Sequence, residues 1–121
     1  MQLQIEDLRV GNYLYNDGVI VKIDARTIFD IWDDKGLKKY KPIPITEELL
    51  LKVGLSTINE NSAGKRYGYV VNGIFNSDLT FTFWKTTKEA GKFFRGDLEL
   101  KSFHQIQNIY WDLSNIKLKL I

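Results

Sequence analysis

Apolar and polar residues alternate along the first part of the chain, and later give way twice to helical spacing. Val19, Val21 and Ile23 alternate with Ile20, Lys22 and Asp24, which predicts a strand with one apolar face. Segments 12–15 and 18–24 flank Asn16-Asp17-Gly18, residue types that tolerate the left-handed backbone of a tight turn. Residues 27–32 carry the apolar pairs Ile28-Phe29 and Ile31-Trp32 and read as a further strand, closed by an Asp33-Asp34-Lys35-Gly36 turn. Short strands joined by tight turns predict an N-terminal β-meander or a small, partly closed barrel.

The middle of the chain changes character. Lys41-Pro42-Ile43-Pro44-Ile45 must be extended, because each proline drives its predecessor out of the helical region. Thr46 then has the character of an N-cap, and Glu47 and Glu48 complement the dipole of the first turn. Leu49, Leu50, Leu51 and Val53 supply an apolar face, and Gly54 suits the left-handed closing position. The polar, glycine-containing segment 59–66 reads as a mobile loop. Segments 67–75 and 79–85 read as a central hairpin with Asn76-Ser77-Asp78 at its tip and a bulge at Gly73. Residues 86–96 fit either a loop or a short helical turn.

Ser102 and Gln105 have the spacing of a capping box, and Phe103, Ile106, Tyr110 and Leu113 recur as a helical stripe ending at Ser114-Asn115. Ile116, Leu118 and Leu120 alternate with Lys117 and Lys119, which predicts a final edge strand. The expected fold is α+β: meander, short capped helix, central hairpin, C-terminal helix and edge strand. With 121 residues and no linker or repeat, one domain over 1–121 is expected.

Composition narrows the chemistry. The absence of cysteine rules out thiolate metal sites, thiol nucleophiles and disulfides, and the single His104 makes a histidine-based metal centre hard to build. No metal, cofactor or catalytic residue is expected. No stretch reaches the roughly 18 apolar residues of a membrane span, and the start has no signal-peptide character, so a cytoplasmic protein is expected. The acid pairs Asp33-Asp34 and Glu47-Glu48 diverge whether in strand or helix and are explained by turn and dipole chemistry. Gly64-Lys65 lacks the spacing of a phosphate loop. His104 is expected to be a structural residue on the helix surface, sharing a face with Asn108 and Trp111.

Net charge is only +2, but its distribution is uneven. Lys35, Lys38, Lys39 and Lys41 crowd one turn and strand. Farther on, Trp84, Lys85, Lys88, Lys92, Phe93, Phe94 and Arg95 interleave rings with cations, the mixture that holds phosphates and stacks bases. Asp33, Asp34, Glu89, Asp97 and Glu99 dilute this field, so a solvated rim beside a core strand is the competing explanation. The 84–95 stretch is expected to be partly exposed and to be the contact surface for a phosphate-bearing or acidic partner.

Three segments together carry a resemblance: Asp7-Leu8-Arg9-Val10-Gly11-Asn12-Tyr13, then Lys41 to Leu55, then Phe103-His104-Gln105-Ile106-Gln107-Asn108-Ile109-Tyr110. In that order and spacing they resemble a family of small phage and prophage proteins of gut Bacteroidetes, whose members read LRIGN, PIPLTEEWLLKFGF and VHQLQNLYFALTG. This chain departs at Leu49, Val53 and Asp112-Leu113-Ser114-Asn115, where the family commonly has Trp, Phe and Ala-Leu-Thr-Gly. The resemblance implies a phage-derived gene acting inside a bacterial host cell, and it carries no activity with it. Its shared polar residues His104, Gln105, Gln107 and Asn108 lack an evident structural duty and could tie the helix to the proline-rich segment. The function expected on these grounds is a non-catalytic binding protein. It would modulate a host component, for example by blocking a defence protein or sequestering a nucleotide signal. A nucleic-acid accessory module using 84–95 is the alternative.

Overall fold

The computed structural model describes residues 8–32, 39–86 and 90–120. They form an α+β fold of two compact units, the first from the described residues of Met1–Pro44 with Ser102–Asn108, the second from those of Ile45–Lys101 with Ile109–Ile121.

In the first unit, strands β1 (Tyr13–Asn16) and β2 (Val19–Lys22) pair antiparallel around Asp17 and Gly18, whose φ angles of 51° and 81° make a two-residue turn where Asn16-Asp17-Gly18 was expected, Asn16 itself closing the strand. Helix α1 (Ala25–Trp32) follows, then the short strand β3 (Tyr40–Lys41), which returns to pair with β1. The sheet order is therefore β2-β1-β3, neither a meander nor a barrel.

Segment 27–32 is a helix, not the expected strand. Asp24 Oδ1 accepts hydrogen bonds from the Thr27 amide and Thr27 Oγ1, both at 2.9 Å, and caps the first turn. Ile28 and Ile31, three residues apart, then turn inward onto Leu8, Leu14 and Ile23, while Phe29 and Trp32 stay exposed. The apolar pairs that suggested alternation had helical spacing all along. The turn expected at Asp33-Asp34-Lys35-Gly36, with Lys35 and Lys38, lies outside the described residues.

The second unit opens with helix α2 (Glu47–Lys52). Thr46 is its N-cap, with Oγ1 accepting from the Leu49 amide at 3.2 Å. Gly54 (φ 95°) closes it, as the Leu55 amide donates to the Leu50 carbonyl at 3.1 Å and the Gly54 amide to that of Leu51 at 3.2 Å. Strands β4 (Ser56–Glu60), β5 (Gly64–Gly68), β6 (Phe81–Trp84), β7 (Phe93–Arg95) and β8 (Leu98–Leu100) then form an antiparallel meander in chain order.

Two expectations fail here for one reason. Segment 59–66 is a hairpin, not a loop: Asn61 Oδ1 accepts from the Ala63 and Gly64 amides at 2.9 and 3.0 Å and folds the chain back. Segment 86–96 supplies β7. Polar composition masked strands whose side chains need burial on one face only. A central hairpin exists as β5–β6, but its first arm is Gly64–Gly68 rather than 67–75, and the expected bulge at Gly73 does not form. Asn72-Gly73 is itself a tight turn (φ 53° and 77°) bridging Val71 and Ile74, and Ser77–Leu79 forms a single 3-10 turn.

Helix α3 (Phe103–Ser114) gives its first half to the first unit and its second half to the second. Gln105 Oε1 accepts from the Ser102 amide at 3.0 Å, the returning half of the capping box. Phe103, Ile106 and Tyr110 are buried, whereas Leu113 is exposed and does not belong to the stripe. Asn115 (φ 58°) ends the helix. The expected edge strand over 116–120 does not form, although its alternation still buries Leu118.

Candidate ligand-binding face of the five-stranded sheet

The polar residues of α3 have structural work. Gln107 reaches the N-terminal turn with both ends of its amide. Its Oε1 accepts from the Tyr13 amide at 2.9 Å, and its Nε2 donates to the Gly11 carbonyl at 3.1 Å. Asn108 Oδ1 accepts from Asn12 Nδ2 at 2.9 Å, and Asn12 Oδ1 accepts from the Arg9 amide at 2.7 Å. His104 is 3% exposed, which corrects its expected place on the helix surface; its Nε2 lies 3.5 Å from Ser102 Oγ. The expected tie to the proline-rich segment is made by backbone, the Phe103 amide donating to the Ile43 carbonyl at 2.8 Å.

The basic-aromatic stretch is sorted by strand parity. Register pairs Tyr67 with Phe81, Lys65 with Phe83, Phe83 with Phe93, and Phe93 with Leu100, so these share the inner face. Phe93 is buried there, its ring 4.8 Å from that of Phe83 and 6.2 Å from those of Phe81 and Tyr67. Phe93 is core and offers nothing to a partner. Lys85 and Arg95 have the same parity at the strand ends. Lys85 is ion-paired with Glu60, and Arg95 Nε donates to the Asp78 carbonyl at 3.0 Å. Lys88 lies outside the described residues.

Trp84, Lys92 and Phe94 take the other face. Thr82 pairs with Phe94, which places Trp84 and Phe94 on one side as diagonal neighbours on adjacent strands. Gly91 (φ 83°) and Lys92 together oppose Trp84: the Gly91 amide donates to the Trp84 carbonyl at 2.9 Å, and the Trp84 amide to the Lys92 carbonyl at 3.1 Å. This glycine bulge keeps Lys92 on the Trp84 side. Trp84 and Phe94 are half-buried and Lys92 is exposed, as expected of a partly accessible stretch.

Two residues that the sequence did not assign to this stretch complete the face. Gly64 lies opposite Trp84, and a Cβ there would sit 2.8 Å from the Phe83 carbonyl oxygen and 3.5 Å from Trp84 Cε3. Its bare backbone lets the indole rest across the strand. Arg66 lies opposite Thr82, in the segment misread as a loop. Its Nε and one terminal nitrogen donate to Thr80 Oγ1 at 3.0 and 2.8 Å, while Thr80 Oγ1 donates onward to the Ser77 carbonyl at 2.8 Å. The guanidinium is thereby fixed in direction with its other amino group left to an outside acceptor. The tight Asn61 turn between two alternating segments was the signal that could have found Arg66.

Charge on this face is net positive, Arg66 and Lys92 against Glu99, with Lys92 Nζ 4.0 Å from Glu99 Oε1. The lysines of the other face are paired locally, Lys65 with Glu47 and Lys85 with Glu60. The Lys85 hydrogen bond holds the Glu60 carboxyl below its ordinary value, and the Glu47 hydrogen bond raises Lys65 above its own. Burial pushes the Tyr110 hydroxyl upward, and that group donates to the Leu79 carbonyl. Among the described residues no group of three or more His, Asp or Glu could hold a metal ion, and no helix is long and apolar enough to cross a membrane. The chain matches no protein-family model, and comparison with curated proteins and solved structures finds no match.

Proposed function

We propose that this protein is a non-catalytic binding protein that holds a phosphate-bearing, base-containing ligand on the outer face of its five-stranded sheet. One observation carries the reading: Trp84 and Phe94 stand side by side on that face with Arg66 and Lys92 beside them. Rings supply base stacking, and cations hold phosphate. The resemblance to phage and prophage proteins supports a setting inside a bacterial cell, where such a face would sequester a nucleotide signal or a nucleic acid of the host. The test is calorimetric titration with nucleotides and oligonucleotides. The combined variant Arg66→Ser, Trp84→Ala, Lys92→Ser should abolish binding while the folded circular-dichroism signature remains; retained affinity in that variant refutes the reading.

A host protein as partner is a second reading. Residues 71–78 are all exposed, and Val71, Ile74 and Phe75 give the turn an apolar tip. Replacing those three residues by Ser should then remove a partner captured from host cells without affecting nucleotide binding.

A further inference from the structure

We infer that the ligand of the outer face is a single strand of nucleic acid, engaged through two neighbouring bases. The inference rests on the proposed function and narrows it. Trp84 on β6 and Phe94 on β7 are diagonal neighbours, a relation that sets side chains about 7–8 Å apart. Successive stacked bases along one strand rise only about 3.4 Å. Stacked bases therefore cannot each cover one of the two rings, whereas an unstacked, splayed strand can. A duplex keeps its base faces inside the stack and offers neither ring a partner. A mononucleotide has one base and leaves one ring unused.

The cations fit the same ligand. Across the sheet the order is Arg66, Thr82, Phe94, Glu99 at one level and Gly64, Trp84, Lys92 at the next. One cation thus stands on each side of the aromatic pair, where the backbone of a crossing strand would run. Arg66 is positioned by Thr80 and Lys92 by the Gly91 bulge, so both are built into the sheet. Two phosphate contacts on a single strand predict a slope near about −1.4 in log affinity against log salt, which is shallow. Stacking must supply most of the affinity, and base identity should matter little.

Fluorescence anisotropy with labelled single-stranded dT and U twelve-mers, a duplex of the same length, and ATP as competitor tests this. The single strands should bind at least about tenfold more tightly than the duplex, and Trp84→Ala and Phe94→Ala should each weaken binding about tenfold. Trp84→Phe, which keeps a ring, should largely retain it. Arg66→Ser and Lys92→Ser should each flatten the salt slope by roughly half, while Lys119→Ser changes nothing. The dT and U arms tell DNA from RNA. If ATP binds as tightly as the twelve-mers and the same variants lose it, the single-strand inference falls and the ligand face stands. If folded protein binds no probe, both fall. Oligomer binding untouched by Trp84→Ala and Phe94→Ala overturns the inference as well.

Discussion

The polar cluster at the start of α3 and the outer face of the sheet are built from similar materials and do opposite things. At the cluster, Gln107 spends both ends of its amide on the backbone at Gly11 and Tyr13, and Asn108 bonds Asn12. On the sheet, Arg66 is held along one edge by Thr80, and Trp84 and Phe94 remain half-buried beside it. The cluster closes its hydrogen bonds within the protein, whereas the sheet face fixes the direction of its groups and leaves them facing out. A polar residue without an obvious local duty is thus no sign of a site. Orientation by a neighbour combined with access is the better sign.

The sharpest way to break this contrast is at Gln107. Gln107→Leu strands the buried Tyr13 amide and the part-buried Gly11 carbonyl, and should cost about 3 kcal/mol in denaturant unfolding without altering affinity for oligonucleotide. Gly64→Ala should come next, at about 2 kcal/mol, because its methyl meets the Phe83 carbonyl oxygen. It should also disturb Trp84 and so weaken binding, the one substitution expected to touch both properties. Thr46→Ala removes the α2 cap and should cost about 1 kcal/mol, again with binding unchanged. On the sheet, Lys92→Ser should move stability by no more than about 0.5 kcal/mol while lowering affinity.

The smallest effect is on acid stability. Thr27 hydrogen bonds hold the Asp24 carboxyl below its ordinary value of 3.8, and the Lys85 hydrogen bond holds Glu60 below 4.5. A depressed folded value stabilises above the unfolded value and is lost as pH falls through the folded one. Thermal midpoints should therefore decline below pH 4.5, and Glu60→Gln should flatten part of that decline.

Sequence alone revealed features set by neighbours close along the chain. The Thr46 cap, the Gly54 closure, the Asp17-Gly18 turn and the α3 start each depend on a few adjacent residues, and all were legible. Long-range pairing was not. Segments 59–66 and 86–96 have too few apolar residues to announce strands, because a meander needs them on one face only. The same blindness split the candidate site. The ring-and-cation mixture at 84–95 was visible, but only register separates core Phe93 from outward Phe94, and only β5–β6 pairing brings Arg66 to them. Helix α1 was lost for a different reason: Ile28-Phe29 and Ile31-Trp32 have helical spacing, but in so short a segment after two strands it goes unread until Asp24 is recognised as a cap.

Backbone and indole amide chemical shifts followed during titration with a single-stranded dT twelve-mer test the contrast in one experiment. The account predicts perturbation at the Trp84 indole and at the amides of Arg66, Lys92 and Phe94, with Gly11, Tyr13, His104, Gln107 and Asn108 unmoved. Perturbation centred on His104, Gln107 and Asn108, with the Trp84 indole unchanged, would contradict it.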